Sequence, residues 1–92
     1  MLEIIRFDER ASAWLNDDVI NKAFLRVQAN YIKDLYSFRG YVYLNQIYET
    51  LGIEWEPERY ENVCYCGKPH TLHIDIVPSS QRNIYLFKIY QN

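Results

Sequence analysis

Both cysteines and both histidines of the chain lie within ten residues, in the segment Cys64-Tyr-Cys-Gly-Lys-Pro-His-Thr-Leu-His73. Thiolates and imidazoles are the ligands that Zn²⁺ takes in closed tetrahedral sites, and such a site stabilises a small domain with a limited core. The segment therefore predicts a structural zinc site formed by Cys64, Cys66, His70 and His73. Asp75 is the alternative fourth ligand, because it would share a strand face with His73.

Three other interpretations of this cluster are open. In a disulfide, the Cα atoms of Cys64 and Cys66 would lie about 6.6 Å apart along a strand, near the upper limit for that bond. The cysteines could instead be small buried apolar residues, with both histidines on the surface. A cysteine nucleophile paired with His73 is the third interpretation, although nothing places either thiol at a helix N-terminus.

A hairpin would bring the four ligands together. The sequence predicts strands at 60–66, 71–77 and 84–90, joined by turns at 67–69 and 79–83. Apolar residues alternate with polar ones in the last two strands, so one face is expected to pack on the core: Leu72, Ile74, Ile76, Tyr85, Phe87 and Ile89. Both cysteines and His73 would then share the opposite face of an antiparallel meander.

The first half of the chain is predicted to be helical. A loose apolar spacing favours a short opening helix within residues 2–15. A longer amphipathic helix is expected between the capping residues 16–18 and Gly40, packed on the core through Ile20, Phe24, Val27, Tyr31, Leu35 and Phe38. A brief helix should follow a β-like run at 41–44, between a capping Asn45 and Gly52. The expected fold class is α+β, with N-terminal helices followed by a three-stranded antiparallel sheet that carries the metal site.

Length and composition restrict the class of protein. Ninety-two residues, 49% apolar and 24% charged, predict one globular domain over residues 1–92. A net charge of −2 argues against direct nucleic-acid binding, which needs a basic surface. No apolar run is long enough for a membrane span, and the first seven residues have no secretory pattern, so a cytoplasmic location is expected.

An acidic segment follows the predicted short helix. Residues 54–61 carry four glutamates interleaved with aromatic residues, and the candidate partner-binding residues are Glu54, Trp55, Glu56, Glu58, Tyr60 and Glu61. The other interpretation of this segment is a solvated loop. No glycine-rich phosphate loop is present, and we do not expect an enzyme. A hydrolytic zinc site, with Asp75 or Glu61 as the general base, is a weaker alternative.

The segment 39–52 has the pattern R-G-Y-x-x-L-N-x-x-Y-x-x-L-G, and Ala-Trp-Leu-Asn precedes it at 13–16. With these motifs the first half of the chain resembles small uncharacterised proteins of Firmicutes phages and mobile elements. Taken whole, the chain is similar to the zinc-containing type II-A anti-CRISPR proteins of streptococcal phages.

That resemblance implies a phage-encoded inhibitor in the bacterial host cytoplasm. The implied partner is a Cas9-type nuclease, bound on its recognition lobe so that target DNA cannot load. The cofactor would be a structural Zn²⁺. The alternative function is a phage regulatory or structural module that binds another protein, again with a structural zinc.

Overall fold

The computed structural model describes residues 2–57, 63–67 and 70–92. In chain order, its elements are strand β1 (Leu2–Phe7), helix α1 (Asp18–Arg39), strand β2 (Tyr41–Tyr43), helix α2 (Leu44–Thr50), and strands β3 (Cys64–Cys66), β4 (Leu72–Pro78) and β5 (Tyr85–Gln91). The α+β class is confirmed. Within this part of the chain, no helix is long and apolar enough to cross a membrane.

The main sheet has three antiparallel strands in the order β1-β5-β4. The predicted opening helix is wrong, because residues 2–7 form β1 and pair along the whole of β5, from Leu2 opposite Tyr90 to Phe7 opposite Tyr85. Ile5 and Phe7 alternate with exposed neighbours, which is the period of a strand buried on one face. In the sequence, both helices therefore come after β1 and before β3, rather than before the first strand.

One face of this sheet forms the core with the two helices. Phe7, Tyr85, Phe87 and Ile89 are almost fully buried there, and the predicted partners on β4 lie in register, with Ile74 opposite Ile89 and Ile76 opposite Phe87. The expected core face of the last two strands is confirmed. Leu25 and Ile32 of α1, with Leu44 and Ile47 of α2, complete the same cluster.

The long helix has the predicted ends. Asp17 caps α1 by accepting a hydrogen bond from Ile20 N (3.1 Å), and Gly40 ends it at φ 83°, donating its N–H to Tyr36 O. Helix α2 matches its predicted position, but its N-cap is Tyr43 rather than Asn45, and the Tyr43 N–H donates to Gln46 Oε1.

The predicted core stripe of α1 is wrong. Ile20, Val27, Tyr31 and Phe38 are exposed, and Phe24 and Leu35 are half-buried. The helix instead buries Asn21, Leu25, Ala29, Ile32 and Tyr36, a face centred about 140° from the four exposed residues at 100° per residue. The buried face includes an asparagine and an alanine, so it is less apolar than the exposed stripe. A prediction from hydrophobicity alone therefore chose the exposed stripe as the core face.

Two hydrogen bonds explain how the polar residue Asn21 can lie at the start of the buried face. It is fully buried, it donates to Leu15 O (2.6 Å) and it accepts from Leu15 N (3.0 Å). Both hydrogen bonds tie α1 to the segment that follows β1. The same segment is held at Trp14, whose Nε1 donates to Asn83 O (2.7 Å) in the turn before β5.

Replacing Asn21 with alanine should lower the free energy of unfolding by about 2–3 kcal/mol, because two backbone groups of Leu15 lose their partner inside the protein. Urea denaturation followed by circular dichroism measures this change. Asn30→Ala is the matched control, since Asn30 lies exposed on the same helix. A loss no larger than that of Asn30→Ala would contradict the role of Asn21.

Candidate functional site

The two cysteines lie on the outer face of a second, two-stranded sheet. Strand β3 pairs with β2 in antiparallel register, with Cys64 opposite Tyr43 and Cys66 opposite Tyr41. The residues between them, Tyr65 and Val42, are fully buried. Because alternate strand residues share a face, both thiols point away from the core, with Cys64 half-buried and Cys66 exposed.

The predicted hairpin between residues 60–66 and 71–77 is wrong. Strand β3 pairs with β2, whereas β4 pairs with β5 from Leu72 opposite Gln91 to Pro78 opposite Tyr85. The two sheets still touch, because the hydroxyl of buried Tyr65 donates to Ile89 O (3.1 Å). Residues 60–62 of the predicted strand lie outside the described residues.

His73 is therefore separated from the thiols. It lies on the outer face of the three-stranded sheet, where its ring stacks on Tyr90 at a centroid distance of 5.0 Å. Asp75 shares that face, as expected, and accepts a hydrogen bond from the Tyr90 hydroxyl (3.0 Å). This contact also raises the pKa of Tyr90. The alternative fourth ligand thus accompanies His73 and not the cysteines.

His70 lies closer than His73 to β3, the strand that carries both thiols. A Cβ on Gly67, next to Cys66, would lie 3.5 Å from Cδ2 of the His70 ring. The ring nitrogen Nδ1 is 2.7 Å from Asn92 O, so a tautomer protonated at Nδ1 would donate there and leave Nε2 with a lone pair. A hydrogen bond of this kind orients many histidines that bind metals.

Buried Tyr36 fixes both ends of the segment that links the cysteines to His70. Its hydroxyl lies within hydrogen-bond distance of Gly67 O (3.0 Å) and His70 O (3.2 Å), and it accepts a bond from Gln91 Nε2. Gln91 also donates to Cys66 O (3.1 Å). Helix α1, strand β3 and the end of β5 therefore meet at the hydroxyl of Tyr36.

The four predicted ligands are not gathered in one place. Among the described residues, no three His, Cys, Asp or Glu side chains are grouped so that they could hold a metal ion. What the geometry provides is a thiol pair, with Cys64 and Cys66 close enough to share a hydrogen bond. Two thiols on one exposed face can bind a soft metal ion once deprotonated, and they leave room for further ligands.

Aromatic and cationic side chains surround the thiol pair, and the sequence interpretation did not single them out as a group. Tyr41 and Tyr43 contact each other edge to face at 5.7 Å, and the Arg39 guanidinium lies 4.6 Å from the Tyr41 ring centroid. Gln46 accepts a hydrogen bond from Arg39 Nη2 (3.0 Å) and holds it in place. The alternation of Tyr41 and Tyr43 after a basic residue was the signal available in the sequence.

The acidic segment is described only in part. Glu54 and Glu56 are exposed, and Trp55 between them is half-buried against the core. The other candidate partner-binding residues, Glu58, Tyr60 and Glu61, lie outside the described residues. Residues 54–61 contain four acids and one base, whereas the rest of the chain contains eight acids and nine bases. The net negative charge of the protein is therefore concentrated in this segment.

The chain matches no protein-family model, and no curated protein or solved structure is significantly similar to it. The resemblance to phage proteins therefore stays an expectation from the sequence.

In the metal-free protein, Cys64 should react slowly with iodoacetamide near neutral pH. Burial raises the pKa of its thiol to about 11, and the neighbouring Cys66 thiol adds to the rise, so the reactive thiolate is scarce. The alkylation rate of Cys64, followed by fragment mass spectrometry, should rise about tenfold per pH unit from pH 8 to pH 10. A rate that levels off below pH 9 would contradict this environment.

Proposed function

We propose that this chain is a non-enzymatic protein that binds and inhibits a Cas9-type nuclease, and that the acidic segment 54–61 makes the main contact. The observation that supports this proposal is the concentration of negative charge in a segment whose Trp55 is packed against the core. The partner itself is taken from the resemblance of the chain as a whole to type II-A anti-CRISPR proteins.

The surroundings of Trp55 suit a binding surface. Its packing fixes the backbone on which exposed Glu54 and Glu56 stand, so the two carboxylates lose less conformational freedom on binding than they would in a free loop. Glu54 also borders a cleft of about 340 Å³, lined by Tyr48 and Ile53, which can admit an anchoring side chain of a partner.

Two arginines border the same cleft without making it basic. Asp8 is buried and accepts hydrogen bonds from Arg6 Nε (3.0 Å) and Arg10 Nη2 (3.0 Å), so one carboxylate is shared by both guanidiniums. Burial alone would raise the pKa of Asp8, but these hydrogen bonds outweigh it and lower that pKa. Asp8 therefore stays ionised, and together with Glu54 it balances the two arginines, so the lining of the cleft carries no net charge.

The proposed mechanism is competition for a basic channel. A nuclease of this class holds its guide–target duplex in a positively charged channel through backbone contacts. A fixed cluster of carboxylates is attracted to the same lysines and arginines, which speeds association and excludes DNA phosphates. Protein–DNA and protein–inhibitor contacts of this kind both weaken as salt concentration rises.

A structural zinc would be held by the thiol pair, with His70 joining it only after its ring moves toward the thiols, because no three such side chains are grouped among the described residues. Cys64 and Cys66 already share a face, and the carbonyl of His70 is held by Tyr36. His73, the other predicted ligand, would have to leave Tyr90 to take part. Such an ion would link β3 to the start of β4.

Adding the purified protein to a type II-A nuclease–guide complex should block both target-DNA binding and cleavage. The double reversal Glu54→Lys/Glu56→Lys should weaken this inhibition by roughly tenfold or more, with the largest loss at low salt. Cleavage titrations and DNA mobility shifts measure both effects.

Glu9→Lys/Glu49→Lys is the matched control, because it makes the same change in net charge at two other exposed acids. Equal losses in the two double variants would show that only net charge matters, and would remove the acidic segment from the interface. Undisturbed cleavage with folded wild-type protein would discard the inhibitor proposal and leave a phage regulatory or structural module as the alternative.

The wild-type protein should carry one Zn²⁺ per chain when it is purified from zinc-containing medium and measured by elemental analysis. Cys66→Ser and His70→Ala should lower the metal content, and Cys66→Ser should lower the melting temperature by at least about 5 °C. His73→Ala is the control and should retain the metal. An unchanged metal content in Cys66→Ser would discard the site.

A further inference from the structure

Helix α1 carries an apolar stripe that the chain itself does not cover. Phe38 is 90% exposed, Val27 61%, Tyr31 51% and Ile20 46%. These four side chains (the α1 stripe) lie within about 20° of one line along the helix, over about 27 Å. The buried face of the helix points about 140° away, so the body of the protein leaves the stripe open.

We propose that the α1 stripe binds the α1 stripe of a second copy of this chain, with the two helices antiparallel. This proposal is independent of the inhibitor function and of the acidic segment. It commits the exposed helix face to self-association rather than to a foreign protein, for two reasons that the spacing and the side-chain sizes supply.

The first reason is that the stripe is symmetric about position 29. Ile20 and Phe38 are each nine residues from that point, and Val27 and Tyr31 are each two residues from it. A two-fold axis perpendicular to the helix, at the level of residue 29, would therefore place the stripe of one copy against the stripe of the other, with the two helices antiparallel. A self-complementary patch of this kind is what the interface of a two-fold dimer requires.

The second reason is the match of sizes across that axis. Each aliphatic residue would meet an aromatic one, with Ile20 opposite Phe38 of the other copy and Val27 opposite Tyr31 of the other copy. Large residues facing small ones fill an interface without gaps or overlap. A parallel pair would instead place Phe38 against Phe38 and Val27 against Val27, which gives uneven layers.

The expected strength follows from the size of the patch. The exposed parts of Tyr31 and Phe38 can bury about 500 Å² over two copies, and Ile20 and Val27 add to this. The total is at the lower end of specific interfaces, so the dimer should have a dissociation constant in the micromolar range.

Sedimentation velocity of the full chain between about 5 and 500 µM tests the proposal. The wild-type mass should rise from 11.1 kDa toward twice that value. Val27→Lys should keep the protein monomeric, whereas Val19→Lys should dimerise like the wild type. Val19 is the matched control, since it is an exposed valine on the same helix about 80–100° away from the stripe. Both variants change exposed side chains, and circular dichroism verifies that they fold.

A charge pair at the two ends of the stripe tests the antiparallel arrangement. Ile20→Lys should weaken dimerisation at least about fivefold, and Ile20→Lys/Phe38→Glu should recover much of it, because position 20 of one copy lies opposite position 38 of the other. A wild-type protein that stays monomeric throughout would overturn the proposal, and so would equal dimerisation of Val27→Lys and Val19→Lys. A double variant as weak as the single one would overturn the antiparallel pairing. None of these results depends on whether the protein inhibits a nuclease.

Discussion

Strand β5 has two edges, and strands from opposite ends of the chain occupy both of them. Strand β1 pairs along one edge and β4 along the other, so the sheet closes with β5 at its centre. An unpaired edge leaves a row of backbone donors and acceptors exposed, which is why the first strand of the chain is drawn to the last. The short cysteine strand β3 pairs with β2 and not with the outer edge of β4. The separation of His73 from the thiols follows from this arrangement.

The orientation of α1 depends on polar contacts as much as on apolar burial. Asn21 lies at the start of the buried face because its amide satisfies both backbone groups of Leu15. Tyr36 lies near the other end of that face, with its hydroxyl bonded to Gly67 O. Between them the helix presents Leu25, Ala29 and Ile32 to the sheet. The more apolar stripe is left outside, a combination that is typical of a surface kept for another molecule.

The sequence predicted most of the elements and fewer of their partners. Local signals such as the capping Asp17, the terminal Gly40 and the alternation in the last two strands identified α1, β4 and β5 close to their true limits. The pairing of β1 with β5 joins residues 78 to 88 positions apart, and no local pattern encodes it. The prediction of the candidate metal site failed for the same reason. The thiol pair follows from strand alternation, but the distance to His73 depends on which strands are neighbours, and spacing alone does not determine that.

The phenol of Tyr36 has a single proton and lies between two carbonyl oxygens, those of Gly67 and His70, while it also accepts from Gln91. A hydroxyl can donate to only one of these oxygens at full strength at a time. Gly67, His70 and the end of β5 are thus joined to the helix at one rotatable group, and Gln91 also links the end of β5 directly to Cys66 O. Loss of the Tyr36 contacts would loosen all of these groups together, so this corner of the fold should exchange its amide hydrogens as one cooperative unit, distinct from the centre of the sheet.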